Sequence, residues 1–159
     1  MNDSNNGISS FLKRINLLHK AIMASPILVG IVVYQLADNP YLLILHAWDI
    51  LLAFVICTIV LGIYLSDLIF RKYLLGISTD LSLPKKLEKF QTVFLLKMIL
   101  LEMPSLISAA VFYLTQNQLY LMIIGGMVVY MILQSPKKES IIRALDLRGK
   151  DKVKFNQAN

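Results

Sequence analysis

The chain has 159 residues, of which 57% are hydrophobic, with one cysteine and a formal net charge of +6, and its mean hydropathy is +0.64. A soluble domain is about 45–50% apolar, so the excess calls for an apolar solvent, and the lone Cys57 excludes a disulfide framework or a cysteine metal site within one chain. The positive charge borders the apolar runs instead of forming a basic module, so the lipid bilayer, and not nucleic acid, is the expected partner.

Residues 1–20 are expected to form an amphipathic segment on the cytoplasmic side. Ser10 is placed to cap a helix in which Phe11, Ile15, Leu18 and Ile22 recur at near-helical spacing, with Lys13, Arg14 and Lys20 elsewhere on the wheel. Four apolar runs follow within residues 21–133: Ala21 to Leu36, Tyr41 to Leu65, Phe90 to Leu114 and Leu119 to Leu133. A membrane helix takes roughly 17 to 25 residues, which the middle runs meet alone and the outer two meet with their flanks. A signal peptide is the competing reading of the first run, but Ala37-Asp38-Asn39-Pro40 offers no small-x-small cleavage site.

The connections Asp38-Asn39-Pro40 and Thr115-Gln116-Asn117-Gln118 are short, which predicts two helical hairpins. The expected fold is therefore all-α, an integral membrane four-helix bundle. Of the 16 basic residues, only Lys97 lies inside a run. The others precede the first run, follow the fourth, or lie between the second and third at Arg71, Lys72, Lys85, Lys86 and Lys89. By the positive-inside rule both termini are expected to be cytoplasmic.

Residues 134–159 read as a basic tail. Ser135, Pro136 and Glu139 suit the start of a short amphipathic helix, expected to lie on the inner surface, that Gly149 would end; the alternative for everything after Gly149 is a solvated tail.

Placing Pro26 over Pro104 aligns Leu17 to Leu42 with Leu95 to Tyr120 without a gap, so that His19 meets Lys97 and Tyr34 meets Phe112. This suggests a parallel internal repeat. Each half then carries a proline that removes a backbone hydrogen bond and is expected to kink its first helix.

Four acidic or basic residues, His46, Asp49, Lys97 and Glu102, lie within the runs. Glu102, about 15 Å from a cytoplasmic edge near Thr92, cannot reach an interface and should face other helices or stay protonated. His46 and Asp49 share a face of the second run, continued by Ala53, Cys57, Val60, Tyr64 and Asp67 as a polar stripe. Asp49 lies near the depth of Glu102, so the two carboxyls could share a proton or straddle a cation; alternatively Asp49 reaches back towards water beside an outer aromatic belt. Lys97 is close enough to the inner edge to extend its amine out of the hydrocarbon. Gln91, Ser105, Ala109, Tyr113 and Gln116 share a face with Glu102, which is the expected contact with the second helix. Gly125 and Gly126 are expected to pack within the bundle.

No phosphate loop, activated nucleophile or histidine cluster is present in the sequence. No metal site or cofactor is expected, and the chain is not expected to be an enzyme. In its Leu101-Glu102-Met103-Pro104 segment and in Ser-Pro-Lys-Lys-Glu-Ser-Ile-Ile-Arg-Ala-Leu-Asp-Leu from Ser135, the chain resembles small four-helix bacterial membrane proteins of unknown function. Two expectations remain: an accessory or assembly subunit that meets a second copy or other membrane subunits, and a small oligomeric proton- or cation-coupled carrier using Glu102 and Asp49. A reporter active only outside the cell is expected to work when fused after Asn39 or Asn117 and to be silent after Lys85; the reverse pattern would invert the topology.

Overall fold

The computed structural model describes residues 2–42, 50–78 and 81–157. Among these, the chain forms helices α1 (Asn2–Gln35), α2 (Ile50–Leu75), α3 (Leu83–Thr115), α4 (Leu119–Leu133), α5 (Lys138–Ala144) and α6 (Gly149–Gln157). Helices α1 from Gly7 onwards, α2 and α3 are long and apolar enough to cross a membrane, and α4 becomes a fourth when joined to α5, from which it bends by 73°.

The helices outrun the apolar runs that predict them. Helix α1 passes through Ser10 without a break, and at 1.5 Å per residue it is about 51 Å long against about 30 Å of hydrocarbon. Its N-terminal half therefore projects from the bilayer. Ser82 stands in extended conformation ahead of α3, with proline in the first turn where its missing N–H costs nothing. At the other end Gln116 takes the left-handed conformation, φ 58°, and its N–H bonds the Phe112 carbonyl. The basic residues expected in a central loop consequently ride on helices, Arg71 and Lys72 on α2 and Lys85, Lys86 and Lys89 on α3. Both Pro26 and Pro104 lie inside continuous helices.

Helix α3 is the hub, packing against α1, α2 and α4, while α1 also touches α4 and α6. The expected first hairpin does not form as a packed pair: among the described residues α1 and α2 make at most marginal contact, with α3 between them. Helix α2 instead lies on the far side of α3 from α1. Helices α1 and α3 run in the same direction, as the ring pairs Tyr34–Phe112 at 6.4 Å and His19–Phe94 at 5.9 Å require. Tyr34 and Phe112 are counterparts in the aligned repeat. Yet α3 packs on α4 while α1 lacks the matching contact with α2, so the described helices do not obey a two-fold axis.

The two connections at one end of the molecule are tied together. The Tyr41 N–H donates to the Gln116 carbonyl at 3.1 Å, the Gln118 N–H donates to the Tyr41 carbonyl at 2.9 Å, and the Asn39 N–H donates to Gln116 Oε1 at 2.8 Å. At the opposite end Ile8, Leu12 and Ile15 of α1 share a core with Leu83, Leu87 and Phe90 of α3, Ile141 of α5 and Phe155 of α6. Residues after Gly149 are thus packed: Phe155 is fully buried. The tail helix also starts and stops elsewhere than expected. Helix α5 begins after Lys137 and not at Pro136, and Asp146 (φ 44°) and Gly149 (φ 52°) turn the chain so that Gly149 opens α6.

A close helix approach joins α2 to α3 at Gly62. A β-carbon built at Gly62 would stand 2.8 Å from Pro104 Cγ and 3.2 Å from the Leu100 carbonyl oxygen. That carbonyl is the one whose helical donor Pro104 cannot supply, and in lipid an open carbonyl is costly. The Gly62 backbone covers it. By contrast, a β-carbon at Gly125 or Gly126 meets nothing within 4 Å, so these glycines do not pack inside the bundle as expected. Gly62→Ala should destabilise the protein by about 1–3 kcal/mol, whereas Gly125→Ala should change little, as measured by thermal unfolding in detergent.

Candidate functional site: a paired polar layer and an unpartnered glutamate

Lys97 does not extend out of the hydrocarbon as expected. It is 7% exposed, its Nζ lies 2.7 Å from Asp67 Oδ1, and it donates to Gln134 Oε1 at 3.0 Å. The ammonium also lies 4.9 Å from the centre of the Phe70 ring, a distance at which the ring face attracts a cation. Three helices supply these groups: α3 the lysine, α2 Asp67 and Phe70, and the C-terminal end of α4 Gln134. Close by, His19 of α1, 3% exposed, is bonded through Nε2 to the Met131 carbonyl at 3.0 Å. A neutral ring with the proton on Nε2, or a charged one, makes that bond. Both basic groups therefore sit where α4 ends, at the negative pole of its dipole, and the Met131 carbonyl that His19 meets also accepts from the Gln134 N–H at 3.1 Å.

These residues meet at one depth. Counted from Thr115, at the end where the connections are tied, Lys97 lies about 27 Å along α3, and its contact with Asp67 puts that α2 residue at the same level. Both fall near the far boundary of a 30 Å hydrocarbon layer. Burying a lysine without a counter-charge is costly, and Asp67 with its side chain 41% exposed supplies that charge from the wetter side.

Glu102 belongs to a different environment. It lies about 20 Å from Thr115 and about 8 Å from Lys97 along the α3 axis, within the hydrocarbon by either measure. Its neighbours one turn away are the buried Ser105 and the exposed Ile99, so it occupies the rim between the packed and the open face of α3. Among the described residues it has no hydrogen-bond or ion-pair partner. Leu100 and Pro104, which meet Gly62 of α2, project about 160° away around the helix at 100° per residue. Helix α2 therefore packs opposite Glu102, which corrects the expectation that the Glu102 face is the contact with the second helix. Ser105 and Ala109 are buried, and Tyr113 is 55% exposed. The buried Ser105 hydroxyl likewise has no partner.

His46 and Asp49 lie outside the described residues. The stripe expected to continue them along α2 does not face the bundle: Ala53, Cys57, Val60 and Tyr64 are all exposed. The packing surface of α2 is instead Val55, Ile59, Gly62, Ser66 and Phe70. Only Asp67 of the stripe turns inward enough to be used. Gln134 and Phe70 were not singled out by sequence. Spacing along the sequence gives no signal for them, because the meeting of Asp67, Lys97 and Gln134 depends on how far α2 is shifted along α3. No group of three or more His, Cys, Asp or Glu side chains able to hold a metal occurs among the described residues. No protein-family profile, curated protein or solved structure matches the chain.

The two halves of the ion pair are unequally buried, and their removal should be unequal. Asp67→Asn strands a buried ammonium and is expected to cost about 1–3 kcal/mol. Lys97→Met leaves a carboxylate that water can reach and should cost less, and Lys97→Met combined with Asp67→Asn should cost less than the sum of the two single changes. Unfolding of the three variants in detergent micelles reads this order.

Proposed function

We propose that this chain is a non-enzymatic multi-pass protein of the bacterial inner membrane, a four-helix bundle with cytoplasmic termini that acts as an accessory or assembly subunit of a membrane complex. The observation that carries this reading is Glu102, an acidic side chain within the apolar span, half-exposed on the rim of α3 and without a partner among the described residues. An isolated carboxyl at that depth costs about 2.5–3.5 kcal/mol on insertion scales, and a polar group from a neighbouring subunit would offset it. The open glycines Gly125 and Gly126 and the broad exposed apolar surface on α1, α2 and α4 leave room for that neighbour. In contrast, Lys97, Asp67 and Gln134 satisfy one another, which fits a structural role for that layer.

The alternative, a proton- or cation-coupled carrier in which Glu102 and Asp49 hold the ion, draws no support from the packing of α2, which lies on the opposite side of α3 from Glu102. A photo-crosslinking residue at the exposed Met103 leaves Glu102 intact and is expected to capture a second copy or another membrane subunit. Glu102→Leu should weaken that association about tenfold or more. A protein that stays strictly monomeric in mild detergent, with no crosslinked partner, would remove the subunit reading. Ion flux into liposomes that vanishes in Glu102→Gln would establish the carrier instead.

A further inference from the structure

A groove opens where the lower part of α2 meets α3 and α5. Its cationic groups are Arg71 and Arg143, together with the amine of Lys97; the Asp67 carboxylate also lines it, and its floor includes the apolar Phe70 and Leu74, with the Ser140 hydroxyl on the α5 side. Asp67 is engaged by Lys97 at 2.7 Å, so those two charges offset each other. Arg71 and Arg143 are different: both are exposed, and neither has an ion-pair partner among the described residues. Two guanidiniums in excess of the single carboxylate already paired, a hydroxyl donor and an apolar floor thus converge in one place.

Position names the class of ligand. Arg71 lies one turn, about 6 Å, beyond Asp67 on α2, and Asp67 pairs with Lys97 about 27 Å along α3 from Thr115, so Arg71 falls at head-group level. Helix α5 bends by 73° from α4, which packs on α3, so it turns away from the direction of the long helices. The groove is the corner between this bent segment and α2 and α3. A phospholipid in such a corner has its phosphate beside the arginines and its glycerol and upper acyl carbons against Phe70 and Leu74. Guanidinium binds phosphate oxygens in pairs with directed hydrogen bonds, and basic recesses between membrane helices attract anionic head groups.

We propose that this groove binds the head group of an anionic phospholipid through Arg71 and Arg143. The inference needs α2 and α3 to cross the bilayer and is independent of whether Glu102 meets a partner subunit. Its test uses the full-length protein purified in mild detergent, with thermal stability followed as phosphatidylglycerol, phosphatidylcholine or inorganic phosphate is added. Phosphatidylglycerol is expected to raise the unfolding temperature and the other two additions are not. Arg71→Gln and Arg143→Gln should each weaken the phosphatidylglycerol response about fivefold, while Lys152→Gln, which alters an exposed lysine on α6 outside the groove, should leave it unchanged. Native mass spectrometry of the same variants, counting retained phosphatidylglycerol, separates loss of lipid from loss of fold. The proposal is overturned if the arginine variants respond as the wild type does, if Lys152→Gln loses as much as they do, or if inorganic phosphate alone reproduces the shift.

Discussion

Between helices surrounded by lipid there is little hydrophobic force, because acyl chains are as apolar as leucine; close packing and internal polar bonds must hold the helices together. The contact of Gly62 with Pro104 and the Leu100 carbonyl meets both needs at once. The missing side chain on α2 lets two backbones approach, and the approach shields a carbonyl that proline has deprived of its donor. Because α3 carries this contact on one side and α1 and α4 on others, the arrangement of every crossing helix depends on what α3 presents around its circumference.

A second constraint acts at the end where α4 stops. A helix terminus leaves carbonyls open and a negative dipole pole exposed, and here it lies at the boundary of the apolar layer. His19 and Lys97 reach it from α1 and α3, and Asp67 balances the lysine from α2. Four helices are thereby registered against each other at one depth. Beyond that level the projecting half of α1, the first turns of α3, and α5 and α6 close into an apolar core containing Ile15, Leu87 and Phe155. The chain segments outside the bilayer are thus continuous with the bundle and not appended to it.

The apolar runs, their number and the polar character of the connections were legible because hydrocarbon imposes a length and a composition on anything that crosses it. Helix ends were less so. Nothing in hydropathy distinguishes Leu65 from Leu75 as the end of α2, or Phe90 from Leu83 as the start of α3, since an amphipathic turn outside the bilayer needs no apolar run. The destination of Lys97 is hidden for a related reason: its distance from the inner edge matches the reach of a lysine side chain, whereas its pairing with Asp67 depends on which face of α2 meets α3. That face is not the polar one, because in lipid the small residues, Gly62 and Ser66, make the close contacts.

By itself, the amino-acid sequence determined that several segments must be helical and apolar enough to span a membrane, because unsatisfied backbone polar groups and exposed oil are each too costly in the wrong solvent. Which helices are neighbours was decided only in three dimensions. The insertion of α3 between α1 and α2, the pairing of Lys97 with Asp67 and the isolation of Glu102 on the rim all depend on the angle at which side chains leave α3 relative to its partners. That angle is a property of packed helices, and composition carries no record of it.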